Sequence, residues 1–406
     1  MPITPEIILW PQGDNPPKAS LYYGRDVRET LQQLPDKSIH MICTSPPYWG
    51  LRDYGVESGI WGGESTCQHV FDEETDMCHC GAWKGCFGLE PTPNLFVEHL
   101  VEIGQELWRV LRNDGIFWLN LGDSYMSHSA KKLDAMGGFQ GNRIRDKEAY
   151  RASLGSVGKR PVPSDIGLKN KDLVGIPWRA ALALQDDGWY LRQDIIWRKT
   201  NPLPESVIDR CTKAHEYIFM LTKNSKYYFD TDAIKEAASG KYAGNKTHKY
   251  VDQYNKESEQ HRIKAGLGKI SNTNRQTRNK RSVWDVAVSH YKGAHFSTWP
   301  PKLVEPMILA GTSEKGCCGV CGAPYQHVSE GWKLPCSCTD IYDRCVVLDP
   351  FSGSGTTGQV AMHLGRDYIG IDMNSGYLNL AKTRILGEQA FPTDAEKKKA
   401  SILDMF

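Results

Sequence analysis

A strand, a glycine-rich turn, a helix and a second strand follow one another near the C-terminal end of the chain. The turn is DPFSGSGTTG at 349–358, and the second strand, at 367–372, ends in Asp372. Glycines allow the backbone to approach a ligand closely, and the start of a helix offers free N–H groups. An acidic residue about 20 positions after such a loop can accept hydrogen bonds from ribose hydroxyls. The unit therefore predicts an α/β domain that binds a nucleotide-like ligand.

The same alternation of strands and helices extends over most of the chain. Strands are predicted at 21–24, 39–43, 116–121, 189–198, 217–222 with 226–229, 345–349 and 367–372, and helices at 26–34, 94–112, 175–187, 300–310, 356–364 and 375–386. Residues 1–20 are rich in proline and are predicted to be irregular. This alternation favours a doubly wound, mostly parallel sheet, here of seven strands.

Polar, glycine-bearing stretches interrupt this pattern and are interpreted as insertions on one scaffold. The core is predicted at 1–125, at 174–234 and at 295–388, the last of which carries the glycine-rich loop. Between these parts lie a basic insertion at 126–173 and another polar insertion at 235–294, and a solvated tail follows at 389–406. Two Cys-rich insertions, at 62–90 and 313–340, lie inside the first and last parts of the core.

Charge and hydropathy exclude several classes of protein. The 406 residues carry 49 basic and 48 acidic side chains, so a nucleic-acid partner would have to be held by local basic patches. No run of 18 apolar residues occurs, which argues against a membrane span. The N-terminus lacks the pattern of a secretory signal, so we expect a cytoplasmic, reducing location.

In a reducing compartment the 12 cysteines are expected to be metal ligands or core residues. Cys318, Cys321, Cys336 and Cys338 form two close pairs, which is typical of a structural tetrahedral zinc site. Cys67, His69, Cys78 and Cys80 form a second candidate with less regular spacing, for which His79 and Cys86 are alternative ligands. Incidental reduced thiols are the other interpretation. Cys43, Cys211 and Cys345 are expected in the core.

The turn TSPPYW at 44–49 follows a predicted buried strand, and its two prolines end that strand. Open α/β sheets bind their ligands at this end of the strands. The carbonyls of Ser45 and Pro46 would be fixed acceptors, and Tyr48 and Trp49 would offer aromatic faces. Acceptors beside an aromatic face suit an exocyclic amino group on a flat heterocycle. A rigid turn with a buried tyrosine is the alternative interpretation.

The glycine-rich loop taken alone would also suit a dinucleotide-dependent oxidoreductase. Two features argue against that class. Asp349 and Pro350 precede the glycines, where a pyrophosphate would meet a carboxylate, whereas a carboxylate suits a ligand with an amino group and a sulfonium. The loop also lies near the C-terminus and not at the start of the chain.

The motifs TSPPYW and DPFSGSGTTG, in this order, resemble the amino-group DNA methyltransferases of the β arrangement, the SPPY type of the N4-cytosine and N6-adenine enzymes. The resemblance includes LRNDGIFWLNLGDSY at 111–125, KAHEYIFMLTKN at 213–224, HFSTWPPKLVEPMI at 295–308 and YIGIDMN at 368–374, and so covers nearly the whole chain. It implies a Rossmann-like sheet, S-adenosylmethionine as methyl donor and double-stranded DNA as substrate. A target-recognition region would lie at 235–294, between the catalytic and cofactor halves.

The resemblance also assigns site residues by position. Ser45, Pro46, Pro47 and Tyr48 would be catalytic. The cofactor residues would be Asp26, Thr44, His295, Phe296, Ser297, Thr298, Asp349, Pro350, Phe351, Gly353, Ser354, Gly355, Thr356 and Asp372. A bacterial, archaeal or phage-infected host cell is implied, a cognate restriction endonuclease is a candidate partner, and a homodimer stays an open alternative.

An exocyclic amine on an aromatic ring is a poor nucleophile because its lone pair is delocalised. Hydrogen bonds to the Ser45 side chain and the Pro46 carbonyl would localise the lone pair for in-line attack on the methyl group. The base would leave the duplex and stack on Tyr48. Serine at position 45, where adenine-N6 enzymes usually carry aspartate, resembles the cytosine-N4 branch. Adenine N6 is the alternative target.

A basic segment lies inside the expected target-recognition region. Its seven basic residues, with no acidic one among them, are Arg262, Lys264, Lys269, Arg275, Arg278, Lys280 and Arg281. Interleaved Asn, Gln, Ser and Thr could add base-edge donors to phosphate contacts. A solvated loop is the alternative for this segment, and a non-catalytic, zinc-bearing DNA-binding protein is the alternative for the chain.

Overall fold

A computed structural model describes residues 4–10, 16–51, 53, 55–126, 167–238, 277–289, 299–338 and 341–387. Nine strands form the main sheet: β1 (Glu6–Leu9), β2 (Lys18–Tyr23), β3 (Ile39–Thr44), β4 (Leu111–Leu121), β5 (Tyr190–Arg198), β6 (His215–Thr222), β7 (Val283–Asp285), β8 (Val346–Asp349) and β9 (Asp367–Asp372). Their spatial order is β1-β2-β9-β8-β3-β4-β6-β5-β7. Neighbouring strands from β2 through β4 are parallel, β6 is antiparallel to both of its neighbours, and β7 is parallel to β5.

Helices cover both faces of this sheet. They are α1 (Val27–Leu31), α2 (Pro93–Val110), α3 (Ile176–Asp186), α4 (Pro301–Gly311), α5 (Thr356–His363) and α6 (Leu378–Leu386). The buried side chains of α1, α2 and α3 belong to one apolar cluster, and those of α4, α5 and α6 belong to another. Local signals set the helix starts: Thr92 accepts from the N–H of Leu95 ahead of a proline in the first turn of α2. The doubly wound α/β class is confirmed.

The sheet differs from the expected seven strands at three places. The prediction that residues 1–20 are irregular is wrong, because Glu6–Leu9 pairs antiparallel with β2 and adds an edge strand. Val283–Asp285 adds the other edge inside the stretch interpreted as an insertion. Residues 226–229 form no strand, and the N–H of Tyr228 donates to the Asp114 carbonyl instead. Short edge strands have little periodicity, so sequence patterns find them poorly.

The direction of the strands gathers several motifs at one edge of the sheet. The parallel strands β3, β4, β8 and β9 all end there, and the antiparallel strand β6 begins there. The SPPY turn, the glycine-rich loop and the segment that starts at His215 therefore meet at this edge, hereafter the carboxyl edge. Within the part of the chain that the structure describes, no helix is long and apolar enough to cross a membrane.

Candidate active site

Asp349 ends β8 and connects the glycine-rich loop to the end of β3. Its carboxylate accepts hydrogen bonds from the hydroxyls of Thr44 and Thr357, each at 2.6 Å, and from the N–H of Phe351 at 3.1 Å. The side chain is 1% exposed, and burial raises its pKa to about 6. Both carboxylate oxygens of Asp349 thus accept hydrogen bonds from other groups of the protein. Asp349 therefore holds the glycine-rich loop in place.

Asp372 ends β9 and faces the same loop. Its Oδ2 accepts from the N–H of Gly353 at 2.7 Å, and its Oδ1 accepts from the N–H of Asn374 at 2.8 Å. Burial raises the pKa of Asp372 to about 6. A carboxylate held by two backbone N–H groups keeps a fixed orientation toward the loop and the space beside it.

A cavity of about 190 Å³ lies beside Asp372 and the SPPY turn. Its wall is largely apolar and aromatic. Polar groups come from Asp26, Ser45, Ser352, Asp372 and Asn374, and rings come from Trp61, Phe87, Trp299, Phe351 and Tyr377. Asp26 also caps α1 and is paired with Arg28, whose Nη2 lies 2.9 Å from Asp26 Oδ2. The cavity is thus a largely apolar space with two carboxylates, those of Asp26 and Asp372, in its wall.

The structure brings together most of the residues expected at the cofactor site. Asp26, Pro350, Phe351, Gly353, Ser354, Thr356 and Asp372 line the cavity. Thr44 and Asp349 lie behind it and bond to each other, and Ser354 also accepts from Arg384 at 2.6 Å. Gly355 precedes α5 with a positive φ. His295, Phe296, Ser297 and Thr298 lie outside the described residues, next to Trp299, which does line the cavity.

The four predicted catalytic residues lie at the end of β3. Ser45 and Pro47 line the cavity, whereas Pro46 is buried. The Ser45 hydroxyl lies 3.1 Å from Asn120 Oδ1 and 3.3 Å from the Tyr48 hydroxyl. The Tyr48 hydroxyl in turn lies 2.7 Å from Glu216 Oε2 and 3.0 Å from Asn120 Oδ1. The turn is therefore held by side chains from β4 and β6 at the carboxyl edge.

Trp49 differs from the expectation that it would offer a stacking face. Its ring is 3% exposed, and its indole N–H donates to the Glu90 carbonyl at 2.9 Å. The residue is part of the apolar core, because the chain turns inward after the two prolines. Tyr48 is the remaining half-buried aromatic side chain of the motif.

Because Gly122 has no side chain, the Tyr48 ring can pack directly against the backbone at position 122. A Cβ at position 122 would lie 2.5 Å from Tyr48 Cε2, closer than carbon atoms approach each other. The residue follows β4 directly, so the strand end passes flat against the ring. Nothing in the local sequence, where Gly122 and Asp123 follow a predicted strand, indicated this contact.

The first Cys-rich segment forms the far end of a hairpin with strands at Gly59–Trp61 and Trp83–Gly85. The ligand atoms of Cys67, His69, Cys78 and Cys80 all lie within 4.8 Å of one another. The same hairpin supplies Trp61 and Gly85 to the cavity wall. Cys86, an alternative ligand in the sequence, lies on that wall and outside the quartet.

The second Cys-rich segment lies at the other end of the strands, away from the carboxyl edge. The sulfur atoms of Cys318, Cys321, Cys336 and Cys338 lie within 4.8 Å of one another. Arg112, at the start of β4, donates to the Cys321 carbonyl at 2.7 Å. His40 Nε2, at the start of β3, lies 2.9 Å from the Gly322 carbonyl. A metal there would brace the sheet away from the cavity.

A third group of metal-ligand types was not expected from the sequence. His40, Cys317 and Cys345 are buried together, with their ligand atoms within 4.8 Å. Both ring nitrogens of His40 already have backbone partners, since Nδ1 accepts from the N–H of Val346 at 3.0 Å and Nε2 lies beside the Gly322 carbonyl. The geometry therefore suits a hydrogen-bonded core cluster. Cys43 and Cys345 are buried as expected, whereas Cys211 is exposed in the irregular stretch before β6, so the expectation of a core position for Cys211 is wrong.

The basic segment is described only at its C-terminal end. Arg278 and Arg281 both place Nε beside Glu236 Oε1, at 2.9 and 2.6 Å, and Lys280 Nζ lies 5.0 Å above the Trp284 ring. Arg262, Lys264, Lys269 and Arg275 lie outside the described residues. Two of the expected DNA-contacting arginines are thus paired with an acidic residue more than 40 positions away.

Comparison with known proteins decides the family. The family model of the N6/N4 DNA methylases, described as DNA methylase, matches residues 39–383. The chain belongs to the N6/N4 DNA methylase family. It is 37% identical over 373 residues to the type II methyltransferase M.XycI of Xanthomonas campestris pv. cyanopsidis, with 92% of this chain and 90% of the relative covered. It is 37% identical to the type II methyltransferase M.Cfr9I of Citrobacter freundii, covering 91% and 88% of the two chains.

A solved structure supports the fold of this N6/N4 methylase. The PvuII DNA methyltransferase (cytosine-N4-specific) is 16% identical and superposes with a TM-score of 0.50 over 95% of this chain and 91% of that chain. This superposition confirms the Rossmann-like sheet, and the family model and the two relatives confirm the β-class amino-methyltransferase resemblance. The protein is a DNA methyltransferase of the class that acts on cytosine N4 or adenine N6.

Several site residues of this methylase were not singled out from its sequence. Asn120 and Glu216 bond to the SPPY turn, Thr357 bonds to Asp349, and Trp61 and Tyr377 line the cavity. A signal existed for two of them. Asn120 and Glu216 are polar residues inside strands of otherwise apolar character, and both strands carry segments of the family resemblance. A buried polar residue at a strand end is a reason to look for a partner.

Proposed function

We propose that this methylase transfers a methyl group from S-adenosylmethionine to the exocyclic N4 amine of cytosine in double-stranded DNA. The observation that carries the proposal is that Ser45 of the SPPY turn lines the same cavity as Asp26 and Asp372. Acceptor groups for an amine and carboxylates for sugar hydroxyls thus meet in one space. Adenine N6 is the second candidate target.

The cavity suits the chemistry of S-adenosylmethionine. A planar adenine fits between apolar and aromatic walls such as Phe351 and Trp61, and ribose hydroxyls can donate to the oriented carboxylate of Asp372. Asp26, also in the cavity wall, can accept from an amino group. The sulfonium supplies the methyl group when the molecule is bound, and Ser45 lies where the acceptor amine would approach.

The residues of the chain would act on the amine as follows. Ser45 and the Pro46 carbonyl accept its two N–H groups and localise its lone pair for in-line attack, without a covalent enzyme intermediate. The base reaches this position only outside the duplex, stacked on Tyr48. Serine at position 45, in place of the aspartate usual for adenine-N6 enzymes, supports cytosine as the target.

Two structural zinc ions are part of the proposal. The two quartets, Cys67 with His69, Cys78 and Cys80, and Cys318 with Cys321, Cys336 and Cys338, each offer four ligand atoms and leave no open position. Among the described cysteines none forms a disulfide, which leaves the thiols free to bind metal. The first zinc would stiffen the hairpin of the cavity wall, and the second would attach its loop to β3 and β4.

The same function implies that the protein binds DNA and has a restriction endonuclease as functional partner. The basic residues between 262 and 281 and the basic insertion at 126–173 would neutralise phosphates, and the region 235–294 would read the recognition sequence. The curated relatives are named type II methyltransferases, which supports a cognate restriction endonuclease as functional partner. A homodimer is the alternative to a monomer, and analytical ultracentrifugation distinguishes the two.

Substitutions in the SPPY turn test the proposed chemistry. Ser45→Ala should chiefly slow methyl transfer, because its hydroxyl matters most as the amine becomes tetrahedral. Tyr48→Ala should weaken the complex with the extruded base by about 1–3 kcal/mol, the scale of base stacking on aromatic rings. Single-turnover transfer from tritiated cofactor, with separate DNA and cofactor titrations, measures both effects. A Tyr48→Ala enzyme with the wild-type rate would show that the turn is only structural.

Cofactor binding should depend on the charge of Asp372. Asp372→Ala is expected to weaken S-adenosylmethionine binding by about 1–3 kcal/mol, through loss of charge-assisted bonds to the ribose. The ribose donors need the ionised carboxylate, and the pKa of Asp372 is raised to about 6. Affinity should therefore be highest at neutral pH and above, and should fall as the pH drops through 6.

The control for this pH dependence is Asp372→Asn, measured by calorimetry between pH 5 and pH 8. Asp349 has a pKa in the same range and is present in both proteins, so the difference between them isolates Asp372. Unchanged affinity in the alanine variant would remove Asp372 from the ribose site.

The zinc content of single-site variants tests the two ligand quartets separately. Elemental analysis should find two zinc ions per chain, and Cys80→Ser and Cys321→Ser should each lose one of them. Cys80→Ser is expected to weaken cofactor binding, since its hairpin forms the cavity wall. Cys321→Ser should lower thermal stability with little change in cofactor affinity. A stable wild-type protein without metal would contradict the assignment of both sites.

A further inference from the structure

A chain of hydrogen-bonding groups runs from the cavity to a carboxylate in β6. Ser45 lines the cavity, its hydroxyl lies 3.3 Å from the Tyr48 hydroxyl, and the Tyr48 hydroxyl lies 2.7 Å from Glu216 Oε2. The other oxygen of Glu216 is paired with the ammonium group of Lys199, which is part-buried like Glu216 itself. Two hydroxyls thus connect the expected position of the amine to a paired carboxylate.

Asn120 lies beside this chain as a second acceptor. Its Nδ2 donates to the Tyr217 carbonyl at 3.0 Å, so Oδ1 faces Ser45 and Tyr48. Each hydroxyl has one hydrogen and donates either to this amide oxygen or to the next group of the chain, and the amide oxygen does not take up a proton near neutral pH. Asp349, the carboxylate behind the turn, bonds instead to Thr44, Thr357 and the N–H of Phe351. Glu216 is therefore the carboxylate that the described contacts connect to Ser45.

The proposed reaction leaves a proton that must be removed. When the amine nitrogen forms its bond to the methyl carbon, the bond from that carbon to sulfur breaks, and the sulfonium becomes a neutral thioether. The positive charge is then on the amine nitrogen, which carries one N–H too many. Serine is too weak a base to keep that proton, so a further acceptor is required.

We propose that Glu216 is this acceptor and receives the proton through Ser45 and Tyr48, an inference that rests on the proposed function. The amine N–H gives its proton to Ser45 Oγ, the Ser45 hydroxyl passes its own to the Tyr48 oxygen, and the Tyr48 hydroxyl proton moves to Glu216 Oε2. The products are a neutral methylamine, two restored hydroxyls and a neutral Glu216. Charge balances, because the sulfonium and the carboxylate both become neutral.

Several charged and titratable side chains surround Glu216. The titratable and charged groups that face it in the described structure are Lys199, Lys213, His215 and Tyr48. Burial lowers the pKa of Lys213 and of His215. Glu216 acts through Tyr48 without touching the substrate, so it is a positioning residue for the proton, and Tyr48 and Ser45 remain the groups in contact with the base.

Two conservative substitutions interrupt the chain at different links. Tyr48→Phe keeps the ring for stacking but removes the hydroxyl, and Glu216→Gln keeps the shape but removes the basic site. Each should slow single-turnover methyl transfer by roughly 100-fold while DNA and cofactor affinities change less than about twofold. The double variant should be no slower than the slower single variant, because both break one path. Glu205→Gln, which removes a carboxylate paired with Arg210 in the neighbouring loop, is the matched control and should keep the wild-type rate.

The solvent isotope effect distinguishes proton transfer from simple support of Tyr48. In D2O the exchangeable protons of Ser45 and Tyr48 are replaced by deuterium, so single-turnover methyl transfer by the wild-type enzyme should slow by about twofold or more. The Glu216→Gln enzyme, whose path to the carboxylate is broken, should show a smaller effect. Equal isotope effects in the two enzymes, or a Tyr48→Phe enzyme with the wild-type rate, would overturn the relay. Failure of the proposed function would appear differently, as absence of methylated amine with the wild-type protein itself.

Discussion

Asp349→Ala is expected to lower the free energy of unfolding by about 3 kcal/mol or more and to abolish cofactor binding. The substitution leaves two buried hydroxyls, of Thr44 and Thr357, and the N–H of Phe351 without their acceptor. It also removes the link between the end of β3 and the glycine-rich loop. Urea unfolding followed by circular dichroism measures the first effect, and calorimetry with S-adenosylmethionine measures the second.

Asp349→Asn is the matched control, because an amide can still bond to both threonine hydroxyls. The pKa of Asp349 is raised by burial to about 6 from 3.8, so the folded protein holds its proton more tightly than the unfolded chain. The stability that comes from this tighter proton binding is therefore present below pH 4 and is lost as the pH rises through 6, whereas the three hydrogen bonds are a separate contribution. Near neutral pH the neutral amide should cost little stability. Equal losses in the alanine and asparagine variants would show that the hydrogen bonds do not connect the two motifs.

Gly122→Ala should reduce methyl transfer by roughly 100-fold or more with nearly unchanged cofactor binding. The new methyl group would lie 2.5 Å from the Tyr48 ring, which cannot move away without losing its bonds to Asn120 and Glu216. A displacement of about 1 Å at a catalytic group is enough for a loss of this size. Single-turnover transfer under saturating cofactor is the measurement.

Removal of the Tyr48 ring provides the control for the Gly122→Ala variant. In the double variant Gly122→Ala with Tyr48→Ala, the added methyl group meets no ring, so the rate should equal that of Tyr48→Ala alone. A further loss in the double variant would mean that alanine disturbs the end of β4 by another route. A Gly122→Ala enzyme with full activity would show that the position of the Tyr48 ring is not critical.

Features that depend on neighbouring residues could be predicted from the sequence. The glycine-rich loop, the acidic end of β9 and both ligand quartets rest on local spacing, and the structure brings each group together. The α/β class followed from the alternation of strands and helices. The short edge strands at Glu6–Leu9 and Val283–Asp285 lack such a pattern, because they are held mainly by pairing with a neighbour.

Contacts set by strand register could not be predicted in the same way. Asp349 was expected to face the ligand, but its orientation depends on Thr44, which is 305 positions away in the chain. Glu216 reaches Tyr48 because β6 lies antiparallel to β4, with Leu121 opposite Tyr217. Glu236 pairs with both Arg278 and Arg281, which are more than 40 positions away in the chain. Hydrophobic periodicity locates such strands but does not say which residues become neighbours across them.

The target base is tested most directly by digesting DNA methylated by the purified enzyme to nucleosides and separating them by liquid chromatography with mass spectrometry. N4-methyl- and 5-methyldeoxycytidine have the same mass, so authentic standards must resolve them by retention time. We expect N4-methyldeoxycytidine, formed only with S-adenosylmethionine and formed more slowly by the Ser45→Ala enzyme. N6-methyldeoxyadenosine would move the same chemistry to adenine, and 5-methyldeoxycytidine or no modified nucleoside would contradict transfer to an amine.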